Sequence, residues 1–380
     1  MYEIPFLRPN LIKKERLLSY FENIEASRIY SNYGPLNHLF ETRVIAQMFG
    51  GIGAAVTVHN ATIGLMLAIS QCKRPRGKYA VMPSFTFAAT PLAAEWCGLE
   101  PYFLDIEPDD WQMNRAQLEE TVERLGEQIA VVVPYATFGS AIDLSIYNNL
   151  LQEGIPVVID AAASFGTTVA EDAAQFGTGF GGAVVFSFHA TKTFGVGEGG
   201  LVYSADQDLI QRIRRAGNFG FSSFRESVML GLNSKISEYT AAIALATLEG
   251  FQAVQERRKT IIGYYRRELQ QKDLLQRGWL AQKMQGQVPL QFFSLLSPDS
   301  LGNREVIRRL ASHSIEARTY FSPACHQQKQ FQSCPHSDLR VTERIAEHIV
   351  SLPLWEEMNE ATVGRIANVL GSITEENGAI

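Results

Sequence analysis

From residue 54 onward, short apolar runs alternate with stretches whose apolar positions recur at helical spacing. AAVTVHN predicts a strand and ATIGLMLAIS a helix. YAVMPS is followed by AATPLAAEWCG, PYFLDI by NRAQLEETVERL, and IAVVVPYA by LSIYNNLLQEG. PVVIDAA, GAVVFSFH and GGLVYSA complete the series of strands. Runs such as IAVVVPYA are apolar at nearly every position, as in strands covered on both faces by crossover helices. The pattern predicts an α/β fold with a mostly parallel central sheet flanked by helices.

The texture changes near residue 250. Lys235–Arg258 reads as one long, Ala-rich helix without a strand signal. Beyond it come a strand (VPLQFFSLL), a helix (REVIRRLASHS), an extended piece (IEARTYF) and a late helix (TERIAEHIV). This predicts a large domain over residues 1–250 and a smaller C-terminal α+β domain over 251–380. Roughly the first 50 residues read as helical and should pack across both parts. No internal repeat or low-complexity segment interrupts the chain.

With 380 residues, 46% of them hydrophobic, the chain can bury a large core without metal or disulfide staples. Its 34 basic and 40 acidic residues leave a net charge of −6, which disfavours a nucleic-acid binder. No stretch is apolar for the ~18 residues a membrane crossing needs. The start, MYEIPFLRPN, lacks the plan of a signal peptide. The four cysteines follow no framework spacing, which fits the reducing cytoplasm.

Two stretches, GTGFGG (Gly177, Gly179, Gly182) and GVGEGG (Gly195, Gly197, Gly200), match the dinucleotide pattern G-x-G-x-x-G. That pattern needs a strand before it and a helix after it. Both stretches run into strands instead, so these glycines are expected to permit turns and close backbone approach. Cys325, His326, Cys334 and His336 follow no common zinc spacing, and no metal is expected.

The remaining candidates stand at the carboxyl ends of predicted strands, where open α/β sheets bind ligands. Asn60-Ala61-Thr62 opens a helix; it can be a simple cap, or a cradle for phosphate on free backbone N–H groups. Asp160 ends the run IPVVI, either capping the next turn or meeting a cation, since a carboxylate there is costly alone. Phe87 can be core or a stacking face for a flat ring. Lys192 follows GAVVFSF; it is a solvated loop residue, or a desolvated amine able to form a Schiff base. Jointly, a phosphate cradle, an aromatic face, a buried carboxylate and such a lysine are what a pyridoxal phosphate enzyme needs.

At these residues the chain resembles the DegT/DnrJ/EryC1/StrS sugar aminotransferases, fold-type I pyridoxal phosphate enzymes. The resemblance covers most of the chain in order: IPFLRPNLIKKE, NYGPLNHLFETRVIAQMFGG, NATIGLMLAI, PSFTFAAT, FLDIEPDDWQMN, VVIDAAASFG, FSFHATKTFGVGEGGLV, GLNSKISEYTAAIALATLE, YFSPACH and LPLWEEM. It implies that Lys192 holds the cofactor aldehyde and shuttles protons, that Asp160 pairs with the ring nitrogen, and that Phe87 stacks on the ring. It further implies that Ala61, Thr62 and Ser187 bind the phosphate. Asn233 and Lys235 would reach the phosphate of a neighbouring subunit, making the working unit a homodimer with shared active sites.

The implied reaction carries an amino group from L-glutamate to a nucleotide-linked 3- or 4-keto sugar. Tyr33, Arg318, Tyr320 and His326, with Asn32, are candidates for substrate contact. Ala163 departs from the family, which often has Gln or His there to contact the ring hydroxyl; Ser164 could compensate. Relatives that replace the lysine by histidine are dehydratases, and Lys192 argues against that. The resemblance also leaves room for a pyridoxal phosphate-dependent sugar dehydratase, a cyclitol aminotransferase or a non-catalytic regulatory homologue.

Overall fold

The apolar runs become strands because their side chains are buried on both faces. The computed structural model describes residues 2–170 and 174–378. β1 (Ala54–Val58), β2 (Tyr79–Pro83), β3 (Glu100–Leu104), β4 (Ile129–Val132), β5 (Val158–Asp160), β6 (Ala183–Ser187) and β7 (Gly200–Ser204) are almost wholly buried. A four-stranded ladder β1-β7-β6-β5 and a three-stranded ladder β3-β2-β4 meet through parallel bridges Val132–Val157 and Tyr135–Asp160. The combined order is β1-β7-β6-β5-β4-β2-β3. β7 pairs antiparallel with both neighbours, while the β5/β6, β2/β3 and β2/β4 pairs are parallel. The sheet is thus mostly parallel, as the continuous apolar runs require.

Helices α1 (Leu18–Ser27) and α2 (Pro35–Met48) precede the sheet, α3 (Ala61–Cys72), α4 (Ala89–Trp96), α5 (Arg115–Leu125) and α6 (Leu144–Gln152) connect its strands, and α7 (Gln207–Ala216) follows the last of them. Asn60, Asn114, Asp143 and Asp206 cap α3, α5, α6 and α7, each accepting a hydrogen bond from a first-turn N–H. Two apolar clusters form the large domain's interior. One contains Phe40, Phe165 and Phe186; the other contains Val56, Leu65 and Val185.

α8 (Glu238–Gln271) begins at its Ser237 cap and runs well past Arg258, the end the sequence suggests. Its first half, through Phe251, packs into the large core. From Ile261 onward it joins a separate core with β9 (Phe293–Leu296), α9 (Asn303–Ser312), β10 (Ile349–Leu352) and α11 (Glu360–Gly378); β8 (Leu280–Ala281) pairs with β9 but is exposed, and α10 (Arg340–His348) places Ile345 in a neighbouring apolar cluster. The change of texture near residue 250 therefore falls inside a continuous helix. We propose that the two domains divide along it, not at a linker.

Two local expectations differ from the structure. TERIAEHIV does not stay helical to its end. Ile349 and Val350 are β-branched and buried, and pair with β9 as part of β10. The N-terminal residues are not helical throughout either: Ile4 bridges Ile315, and Pro5 accepts a hydrogen bond from the Trp355 indole. Extended chain thus ties the N-terminus to the small domain before α1 begins. Among the described residues no helix is long and apolar enough to cross a membrane.

α2 lacks a cap of its own, because Gly34 precedes it. Glu238, at the start of α8, supplies one from a distance. Its carboxylate accepts from Leu36 N at 2.7 Å and Asn37 N at 3.0 Å while only 2% exposed. A Cβ on Gly34 would lie 2.7 Å from the Glu238 carboxyl carbon, so only glycine admits this approach. Glu238→Ala should orphan both N–H groups at a cost of about 1–3 kcal/mol each. A clear drop in the thermal unfolding midpoint checks this; an unchanged midpoint contradicts it.

Candidate active site

The carboxyl ends of β5 and β6, the N-terminus of α3 and segments of the small domain enclose a cavity of about 470 Å³. Asn60, Ala61, Thr62, Phe87, Asp160, Ser187, Lys192 and Tyr320 line it. Each of these is a candidate on sequence grounds, and the fold brings them together.

At one end sits the first turn of α3, whose leading N–H groups have no intrahelical partner. Asn60 Oδ1 accepts from Ile63 N at 2.9 Å, so this side chain is the cap. The N–H groups of Ala61 and Thr62 and the Thr62 and Ser187 hydroxyls remain beside the cavity, and together suit an anion. Gly200 in β7 runs close beneath: a Cβ there would lie 3.0 Å from Ala61 N and 2.9 Å from Phe186 O. In the same glycine-rich run, Gly197 adopts φ +105°, a conformation other residues rarely hold.

At the cavity floor, Asp160 is 2% exposed. Thr90 Oγ1 donates to its Oδ2 at 2.6 Å, and Ala162 N to its Oδ1 at 3.1 Å. Thr86 in turn bonds the Thr90 hydroxyl at 2.9 Å. Burial pushes the Asp160 carboxyl above its usual range, against the lowering effect of Thr90, Ala162 and Lys192. The Tyr135 phenol, also buried near Asp160, is pushed up by desolvation and by that carboxylate.

The Lys192 amine donates to Gln291 Oε1 at 3.1 Å. Desolvation brings it down to about 8, although the nearby Asp160 pulls the other way. The residue as a whole is half-buried and lines the cavity. Phe87 is 57% exposed, lines the cavity, and its ring lies 6.1 Å from that of Phe321.

The other candidates lie outside this cavity. Tyr33 is packed under Arg214, whose guanidinium is 4.6 Å from the ring, and borders a separate shallow depression with Asn32. Arg318 pairs with Glu316. His326 is engaged at both ring nitrogens, Nδ1 with Ser84 Oγ at 2.7 Å and Nε2 with Glu343 at 3.3 Å. Asn233 bridges Asn218, and Lys235 Nζ bonds Asn218 Oδ1 at 2.8 Å. Ser164 is fully buried and its hydroxyl has no partner, while Ala162 and Ala163 line the cavity without polar side chains. Among the described residues no group of three or more His, Cys, Asp or Glu could hold a metal.

Sequence reasoning does not single out Thr90, Tyr135, Gln291 or Phe321. Thr90 carries a usable signal, as it opens a helix inside PSFTFAAT beside Phe87. Gln291 carries none, since its place depends on how the small domain docks.

A depressed lysine is protonated below about 8 and becomes a free amine above it. In the ligand-free protein, acylation of Lys192 by a small reagent should therefore rise through a midpoint near 8. Exposed lysines should rise near 10.4. Peptide mapping across pH measures both; a Lys192 midpoint matching the exposed ones contradicts the desolvated site.

Residues 11–371 match the sequence profile of the DegT/DnrJ/EryC1/StrS aminotransferase family. A Bacillus cereus chain assigned as a PLP-dependent aminotransferase superposes with a TM-score of 0.95 at 49% identity, covering 97% of this chain and 99% of its own. DesI, solved with its TDP-sugar product, superposes at 0.87 with 33% identity, covering 98% and 94%. The Mycobacterium tuberculosis protein Rv3402c is 34% identical over 372 residues, 96% of this chain and 88% of its own. A Shigella dysenteriae dTDP-4-amino-4,6-dideoxy-D-glucose transaminase is 27% identical over 370 residues, 96% and 98% of the two chains. On the extent of these matches and the cavity they accompany, the chain belongs to the DegT/DnrJ/EryC1/StrS aminotransferase family.

Proposed function

We propose that this aminotransferase uses pyridoxal 5'-phosphate to move the amino group of L-glutamate onto a nucleotide-linked 3- or 4-keto sugar. The observation that carries the cofactor assignment is the shared cavity: a depressed amine, a buried carboxylate and a helix N-terminus converge on it. The TDP-sugar product of DesI and the named activity of the Shigella transaminase support a sugar nucleotide as substrate.

The residues fit the cofactor. The α3 N–H groups with Thr62 and Ser187 would hold its phosphate, Phe87 one face of its ring, Asp160 its ring nitrogen and Lys192 its aldehyde. When bound, the cofactor supplies an electron sink for the carbon that loses a proton. Asp160 would hold a proton on the ring nitrogen, and the resulting cation would offset the burial that raises the carboxyl's pKa. Lys192, displaced from the aldehyde as a free amine, would take the proton from the donor's α-carbon and deliver it to the former aldehyde carbon, across the intervening nitrogen. In the second half-reaction the same amine moves a proton the opposite way. Thr90 and Ala162 keep the carboxylate oriented throughout.

A second copy of the chain would complete the site. The loop between Asn218 and Asn233 exposes Phe219, Phe224, Val228 and Leu230, which supports burial against a partner. Lys235 and Asn233 stand at its base. The four free cysteines support a reducing, cytoplasmic setting.

Borohydride reduction after reconstitution should fix the pyridoxyl group on Lys192, read by peptide mass. Lys192→Ala should lose this label and about 10²–10⁴-fold or more of the single-turnover rate with glutamate. A label on another lysine, or full activity of the variant, contradicts the assignment. Gly200→Ala should crowd Ala61 N and weaken pyridoxal phosphate binding by roughly tenfold, the worth of one charged hydrogen bond. Affinity equal to wild type would remove that N–H from the phosphate site.

A further inference from the structure

Lys192 is held by large-domain backbone, yet the side-chain partner of its amine comes from the small domain. Gln291 lies two residues before β9, is 8% exposed, and accepts from Lys192 Nζ at 3.1 Å. Its backbone is pinned in turn. Arg258 Nη1, on α8, donates to Leu290 O at 2.6 Å and to Gln291 O at 3.4 Å. The same guanidinium pairs with Glu356 at 2.7 Å. Half-buried Glu356 and buried Arg258 and Gln291 thus form a chain that ends at the Lys192 nitrogen. Ala162 and Ala163 on the cavity wall offer no side-chain alternative.

We infer that Gln291 is a positioning residue for the Lys192 amine, orienting its lone pair without charging it. This rests on the assignment of Lys192 as the cofactor lysine. A carboxamide oxygen can only accept. The amine therefore spends an N–H on Gln291, and its lone pair points elsewhere, available to take a proton or attack a carbonyl. A carboxylate in the same place would orient the amine equally well but would favour the ammonium, whose lone pair is occupied. The choice of glutamine over glutamate thus matters chemically. So does the second half of the amide: among the described residues Gln291 Nε2 has no hydrogen-bond partner, which leaves it for a ligand in the cavity.

Other titratable groups line the same cavity. Asp160 comes from β5 and Tyr135 from beyond β4, while His189 and Glu198 lie on the turn that carries Lys192 itself. Arg258 and Glu356 line a second chamber of about 390 Å³ that shares Lys192 as a wall. None of these is altered by a change at position 291, so such a change isolates the carboxamide.

The test compares wild type, Gln291→Glu and Gln291→Met as full-length protein. Near-equal side-chain size favours folding in both variants, and unfolding midpoints check it. Without cofactor, the pH midpoint for acylation of Lys192 should lie near 8 in wild type. In Gln291→Glu it should move up to between roughly 9 and 11, the effect of an adjacent anion. In Gln291→Met it should stay at or below the wild-type value. After reconstitution, the single-turnover rate with L-glutamate should fall about 10²-fold in Gln291→Met, with the donor's apparent affinity little changed. A Gln291→Glu midpoint equal to wild type, or a wild-type rate in Gln291→Met, overturns the inference. If those results accompany a normal pyridoxyl label on wild-type Lys192, the functional assignment stands and only the role of Gln291 falls. Absence of that label in wild type overturns both.

Discussion

The structure turns on placing an amine and a carboxylate in one desolvated cavity. Lys192 loses affinity for its proton and Asp160 gains it, each mainly because burial disfavours charge. Left alone, such a pair is a cost to the fold. Its retention becomes intelligible when one ligand can engage both groups, with an electrophilic carbon for the amine and a basic ring nitrogen for the carboxyl. Much of the surrounding architecture serves to hold those two groups and leave room between them.

The sheet sets the spacing. Asp160 ends β5, Ser187 ends β6, and the parallel arrangement places both at the same edge as the N-terminus of α3. Gly200 lets β7 pass under that helix start without pushing it aside. The small domain closes the cavity from the other side with Gln291, Phe292, Tyr320 and Phe321. α8 spans both cores, and Arg258 on it fixes the segment that delivers Gln291. Leu7 of the extended N-terminal segment reaches the same wall.

Legibility in the sequence follows the range of the forces involved. Strands buried on both faces show as unbroken apolar runs, and the crossover helices α3, α5 and α6 carry their caps in the chain, so the sheet and its crossovers are readable. Lys192, Asp160, Ala61 and Thr62 are readable because each stands next to a strand end. Local context is enough to dismiss the two glycine-rich decoys, and both do lead into strands, β6 and β7. Long-range contacts are not readable. β10 hides behind a helical pattern because Ile349 and Val350 suit either state until β9 is present. Tyr33, Arg318 and His326 suit a substrate by residue type, yet within one chain they engage Arg214, Glu316, and Ser84 with Glu343. Thr90 and Gln291, which hold the two reactive groups, are close to them only after folding.

A crystal structure grown with pyridoxal 5'-phosphate tests the central claim most directly. The account expects continuous density from the Lys192 nitrogen to the ligand, the Asp160 carboxylate within hydrogen-bond reach of the ring nitrogen, and the phosphate on the first turn of α3. Density that leaves Lys192 pointing into solvent, or a ring seated away from Asp160, would contradict it.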